Sequence, residues 1–209
     1  MQDKSREFQI FVKPVGASCN LNCSYCYYLG KRIIYPGTGQ LVMSDEILER
    51  YVKQHIEAST EELVNFSWHG GEPMLAGIEF YRKATAFQRK YIRPGKTIIN
   101  GMQTNGTLLN EEWCRFLSEE NFIVGISIDG PGDLHNKLRY DRKKRPVFEK
   151  VLGGYRMLQQ HGIPTEILCV VNSLNVKYPL AVYDFFKELG ARFITFLPLV
   201  EKQSSAGGA

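Results

Sequence analysis

Short β-branched and aromatic runs recur along this chain at 8–13, 63–68, 97–103, 122–128, 165–171 and 193–197, separated by longer amphipathic stretches. Those stretches, at 45–58, 78–91, 111–120, 147–161 and 176–189, carry apolar residues at helical spacing. Strand and helix alternating over the whole length is the pattern of βαβ units, in which each helical crossover returns the chain to lay the next strand parallel to the last. Six strands are too few to close an eight-stranded barrel, so the expected fold is α/β, a partial (β/α)6 barrel of parallel strands. Ser44 and Asn110 stand where two of the helices need N-caps, and the first helix is expected to bury Ile47, Leu48, Tyr51, Val52 and Ile56.

Parallel βα folds build ligand sites at the carboxyl ends of their strands. The unusual residues of this chain gather at such ends. Cys19-Asn-Leu-Asn-Cys23-Ser-Tyr-Cys26 follows the first strand and Gly70-Gly71-Glu72-Pro73 the second. Thr104-Asn105-Gly106 follows the third, and the fourth closes on Ser127-Ile-Asp129-Gly-Pro.

The spacing C-x3-C-x2-C brings three thiols into one small volume and supplies no fourth. A four-iron cluster held by three cysteines keeps one iron open to a small-molecule ligand, as catalytic zinc sites keep an open position. An electron-transfer cluster would need a fourth thiolate, and a structural zinc would need a distant His to complete it. Cys114 and Cys169 fall inside a helix and a strand, where cysteine usually packs as a small hydrophobe. An odd count of five cysteines, three of them tightly bunched, is no disulfide framework.

At 209 residues, 44% hydrophobic and 23% charged, the composition is that of an ordinary globular protein. A net charge of +4 gives no case for nucleic acid, and the basic run 139–145 reads as a solvated loop. No apolar run nears the roughly 20 residues needed to span a bilayer, and the polar N-terminus has no secretory character. A reducing, cytoplasmic setting is expected.

A cysteine triad of this spacing, with aromatic Tyr25 before its last member, resembles the radical S-adenosylmethionine superfamily. The resemblance implies a [4Fe-4S] cluster on Cys19, Cys23 and Cys26, with S-adenosyl-L-methionine on the open iron. It implies that one electron cleaves the cofactor and leaves a 5′-deoxyadenosyl radical. It also implies cofactor contacts. Gly70 and Gly71 would approach the methionine amino group with Glu72 balancing its charge, and Ser127 and Arg139 would hold its carboxylate. The Tyr25 backbone would meet the adenine, with Val200 as an apolar wall.

Four stretches are similar to the anaerobic sulfatase-maturating enzymes within that superfamily: Lys13-Pro-Val-Gly-Ala-Ser-Cys19, Gly70-Gly-Glu-Pro-Met-Leu-Ala-Gly77, Gln103-Thr-Asn-Gly-Thr-Leu-Leu109 and Ser127-Ile-Asp-Gly-Pro131. This implies oxidation of a Cys or Ser in a sulfatase peptide to formylglycine, with a flavodoxin or ferredoxin as electron donor. Tyr28 and His69 become the substrate-side residues, although the family has Gln where His69 stands. Residues 1–200 are expected to be the radical core and 201–209 the start of a linker, with the family's cysteine-rich C-terminal auxiliary-cluster domain absent. Another peptide maturase of the superfamily is the nearest alternative function, and a non-catalytic metal-binding module is the alternative from a different class.

Overall fold

The computed structural model describes residues 8–34 and 42–200. Six strands form one sheet: β1 (Phe11–Val12), β2 (Leu63–Trp68), β3 (Thr97–Thr104), β4 (Phe122–Ser127), β5 (Thr165–Val171) and β6 (Phe193–Pro198). They lie in sequence order and every neighbouring pair is parallel. Among the described residues β1 and β6 do not meet, so the sheet is an open, partial barrel.

The crossovers are α1 (Asp45–Ala58), α2 (Ile78–Tyr91), α3 (Glu111–Glu119), α5 (Phe148–Gln160) and α6 (Pro179–Glu188), with a short α4 (Gly132–Leu138) between β4 and α5. Ser44 caps α1 by accepting from the Ile47 N–H, and Asn110 caps α3 by accepting from the Trp113 N–H. The core lies between helices and sheet. It includes Leu48, Val52 and Ile56 of α1, Phe66 and Trp68 of β2, Tyr81 of α2 and Phe122, Val124 and Ile126 of β4.

Four expectations change. The first strand shrinks from 8–13 to two residues. It is an edge strand paired only with Ser67 and Trp68, and Pro14 lacks the N–H that would extend the ladder. Ile47 is more than half exposed, and His55 takes a place on the buried face of α1. Helix α6 begins at Pro179, after a 3-10 turn over Asn175–Lys177, because proline's fixed φ suits the first helical position while its ring keeps Tyr178 before it out of helical φ/ψ. Helix α4 is unanticipated: it starts behind Gly130-Pro131-Gly132 with no side-chain cap, so nothing local announces it. The tail 201–209 lies outside the described residues. Among the described residues no helix is long and apolar enough to cross a membrane.

Candidate functional site

The carboxyl edge of the sheet is built by backbone stitching between loops. After β1 the chain runs through Gly16, Ala17 and Ser18 into the cysteine loop, and the loop after β2 lies directly against it. The Gly71 N–H donates to the Gly16 carbonyl (3.0 Å), and the Glu72 N–H donates to the Ser18 carbonyl (2.8 Å). A Cβ on Gly71 would sit 2.1 Å from the Ser18 carbonyl oxygen. One on Gly70, at φ +122°, would sit 2.8 Å from the Gly16 oxygen. The glycine pair therefore exists because two backbones approach here; the close approach visible in the structure is to the cysteine loop itself. Gly71→Ala is expected to cost about 3 kcal/mol, the upper end for overpacking, since backbone cannot step aside as a side chain does. A lowered urea midpoint together with poorer iron uptake checks this.

The other flank of the cysteine loop is held by the segment after α4. Asn22 and Ser24 donate their N–H groups to the carbonyls of Tyr140 and Leu138, each at 2.9 Å, and Arg142 Nη2 donates to the Cys19 carbonyl at 2.7 Å. None of Cys19, Cys23 and Cys26 is in a disulfide. Burial, chiefly, pushes the Cys19 thiol up to about 12 and raises Cys23 as well, so both are neutral until a metal displaces the proton.

Among the described residues, no group of three or more His, Cys, Asp or Glu side chains gathers around a single-ion centre. Zinc would draw its sulfurs to about 2.3 Å from one point, whereas a multi-iron cluster takes each thiolate on a different iron. Three soft thiols on one loop fit the cluster in number and chemistry. Cys114 and Cys169 are fully buried in α3 and β5, as their positions in the sequence suggest.

Asp129, at the end of β4, is the polar centre of the site. Its carboxylate receives Arg139 Nε (2.8 Å) and Nη2 (3.2 Å), the Tyr25 hydroxyl (2.6 Å) and the Val170 N–H (3.0 Å). Burial disfavours its charge, but Arg139 outweighs that and holds the carboxyl below its ordinary range. Arg139 is itself 7% exposed. Nε and Nη2 of the arginine expected to hold the cofactor carboxylate are engaged by Asp129.

His135 lies beside this pair, fully buried. Its Nδ1 accepts the Asp129 N–H at 3.3 Å, and burial, reinforced by Arg139, lowers its pKa to about 3, so the ring is neutral. Ser127 accepts from Gln103 Nε2 at 3.1 Å and points along the same edge from β4.

Glu72 is also occupied by its own chain. Thr104 Oγ1 and the Asn105 N–H donate to it at 2.7 Å each, and the Met74 N–H donates at 3.1 Å. Burial pushes its carboxyl up to about 7 against three donors that favour the ionised form. Tyr28, in the cysteine loop, has its ring 4.2 Å from Tyr27 and 5.2 Å from Lys13 Nζ. His69 packs edge-on against Phe11, with centroids 4.6 Å apart, and burial followed by Lys13 lowers its pKa. Val200, two residues beyond β6, is 86% exposed.

The edge thus brings together the cysteine loop with Tyr25, the glycine loop and Arg139, while Ser127 ends β4 and Val200 follows β6 on the same side of the sheet. The roles of Asp129 and Asn105 were not foreseen, although both stand in loops singled out by their place after a strand. A cavity of about 860 Å³ lies elsewhere, at the amino ends of the strands, lined by Phe8, His55, Glu61, Leu63 and Asn65 among others. It holds none of these groups.

The model of the Radical SAM superfamily matches residues 14–186. The chain belongs to the radical SAM superfamily. The family's cofactors are a [4Fe-4S] cluster and S-adenosyl-L-methionine. The chain is similar to the serine-type anaerobic sulfatase-maturating enzyme of Bacteroides thetaiotaomicron, with 46% identity over 95% of this chain and 48% of that protein. It is also similar to the cysteine-type anaerobic sulfatase-maturating enzyme of Clostridium perfringens, with 37% identity over 93% of this chain and 53% of that protein.

A solved structure of native anSMEcpe with bound AdoMet and Kp18Cys peptide matches with a TM-score of 0.85 and 35% identity, over 95% of this chain and 54% of that one. Streptococcus suis SuiB bound to precursor peptide SuiA shares the fold, with a TM-score of 0.67 at 14% identity over 91% of this chain and 39% of that one. The chain spans about half the length of the curated relatives it matches.

Proposed function

We propose that residues 1–200 form the cluster- and cofactor-binding core of a radical SAM enzyme that starts the oxidation of a Cys or Ser in a sulfatase peptide to formylglycine. One observation carries this reading: three thiols on the loop after β1, bound by backbone hydrogen bonds to a Gly-Gly loop at the carboxyl edge of a parallel sheet. The similarity to serine-type and cysteine-type maturases supports the substrate class.

Cys19, Cys23 and Cys26 are the ligands of the [4Fe-4S] cluster. When bound, cluster and cofactor supply a one-electron cleavage that yields a 5′-deoxyadenosyl radical. The electron comes from a small carrier protein such as a flavodoxin or ferredoxin. The Gly70-Gly71 turn and Glu72 shape the side of the pocket that faces the cofactor's amino group. Ser127 and Arg139 stand for its carboxylate, the arginine oriented by Asp129. Tyr25 would contribute backbone toward the adenine and Val200 an apolar wall near it. Tyr28 and His69, on adjacent loops, face the peptide; a neutral His69 offers one donor and one acceptor where the related enzymes carry an amide. Residues 201–209 begin a linker.

Anaerobically reconstituted protein, reduced with dithionite and given S-adenosylmethionine, is expected to release 5′-deoxyadenosine. Absence of that product at full iron content would sink the radical reading. Mass analysis of sulfatase peptides carrying Cys or Ser at the target position, incubated with the full-length protein, separates the two substrate types. A peptide left unmodified in both cases while 5′-deoxyadenosine accumulates would favour another peptide maturase of the superfamily.

A further inference from the structure

Asn105, just beyond β3, binds two loops at once. Its backbone N–H donates to Glu72 Oε2 in the glycine loop at 2.7 Å. Its side chain turns the other way, into the cysteine loop: Nδ2 donates to Asn20 Oδ1 at 2.9 Å and lies 3.7 Å from Cys19 Sγ. The orientation of that amide is dictated by its other end. Oδ1 accepts from the Thr107 N–H (3.0 Å) and from Thr107 Oγ1 (2.6 Å). A backbone N–H can only donate, so the carbonyl oxygen must face Thr107 and both amide hydrogens must face Asn20 and Cys19.

A ring of side chains then closes. Asn20 Nδ2 donates to Thr107 Oγ1 at 2.8 Å, which commits the hydroxyl proton to Asn105 and the Asn105 amide proton to Asn20. The second Asn105 amide hydrogen is left for sulfur. Asn105 is buried, so water does not compete strongly for that hydrogen.

We propose that Asn105 donates an N–H···S hydrogen bond to Cys19 once that sulfur is an iron ligand, and so raises the reduction potential of the cluster. The inference rests on reading Cys19, Cys23 and Cys26 as the cluster ligands. As a protonated thiol, Cys19 Sγ donates toward Asn20 Oδ1 at 3.8 Å; as a thiolate it has no proton and only accepts. The Leu21 N–H already points at the same sulfur from 3.3 Å. An added electron increases the negative charge carried by the cluster and its thiolates, so a donor aimed at a sulfur stabilises the reduced state more than the oxidised one. Asn105 touches no iron and is a positioning residue: it tunes the cluster through Cys19 and keeps that sulfur in register with the glycine loop.

The test is a potentiometric titration of the reconstituted cluster, followed by the paramagnetic signal of its reduced form. Wild type, Asn105→Leu and Thr107→Val are compared, each assayed for iron and sulfide. At the wild-type midpoint potential, Asn105→Leu is expected to lower the reduced-to-oxidised ratio about three- to tenfold, tenfold being about 59 mV for a one-electron couple. Thr107→Val keeps the amide and the backbone N–H that anchors its carbonyl but removes the hydroxyl bonded to both Asn105 and Asn20, and is expected to shift the ratio in the same direction by less. A purely structural residue would change iron content or melting temperature and leave the midpoint where it was. Should Asn105→Leu fail to hold iron, the Thr107→Val midpoint decides. Wild-type midpoints at full iron content, in both variants or in Thr107→Val alone where Asn105→Leu is lost, overturn the proposal. A Cys19→Ala protein that keeps its full iron overturns the ligand reading beneath it instead.

Discussion

Replacing Asp129 with Ala is expected to lower the stability of the protein by about 3–5 kcal/mol, the usual cost of removing one partner of a buried ion pair. The Arg139 guanidinium would be left buried without its counter-charge, and the Val170 N–H and Tyr25 hydroxyl would lose their acceptor in the same step. Four elements would be affected together: the end of β4, the exit from α4, β5 and the cysteine loop. Asp129→Asn keeps the shape and an acceptor oxygen but loses the charge, and should fall between wild type and Ala.

The pH dependence carries the same signature. The folded-state pKa of Asp129 lies below its ordinary 3.8, so its contribution is present above that value and is lost as pH falls through the depressed folded one. The wild type should therefore weaken in acid more steeply than Asp129→Asn. Urea midpoints measured at neutral and acid pH check both statements, and an Ala variant with the wild-type midpoint would show the pair to be dispensable.

The second large effect is all-or-none. Cys19→Ala, Cys23→Ala and Cys26→Ala proteins, reconstituted anaerobically, are expected to lose the visible iron–sulfur absorption, with iron falling to background. Three protein ligands are the minimum for a cluster that keeps one iron open, so no single loss is tolerated. Cys114→Ala and Cys169→Ala are the controls. Both thiols are fully buried, in α3 and β5 and not on the cysteine loop, and their removal should leave the iron in place. A Cys26→Ala protein that retained its iron would refute the ligand set.

These two expectations differ in how they could be reached. The cysteine triad is legible as a pattern because its signal lies in the spacing: three thiols within eight residues share one loop whatever the rest of the chain does. The alternation of strands and helices was legible for a similar reason, since periodicity is a local property and each of β2 to β6 was found within a residue or so of the expected span. The N-caps at Ser44 and Asn110 belong to the same class.

The Asp129–Arg139 pair was not legible as a pair. Arg139 alone looks like a carboxylate receptor, and Asp129 looks like the end of a turn. Only the return of the chain through α4, a short helix with no side-chain cap, brings the two within hydrogen-bonding distance. Gly70 and Gly71 suggested a close approach, but what they approach is a loop some fifty residues earlier. Asn105 shows the same limit, joining Glu72 to Cys19 across three strand-end loops.

By itself, then, the sequence determined a parallel α/β architecture and three thiols on one strand-end loop, because periodicity and short spacings act over a few residues. The tertiary structure decided which buried charges neutralise each other and which backbones touch. It also decided which amide faces the Cys19 sulfur, because those contacts depend on how distant loops meet at the carboxyl edge of the sheet.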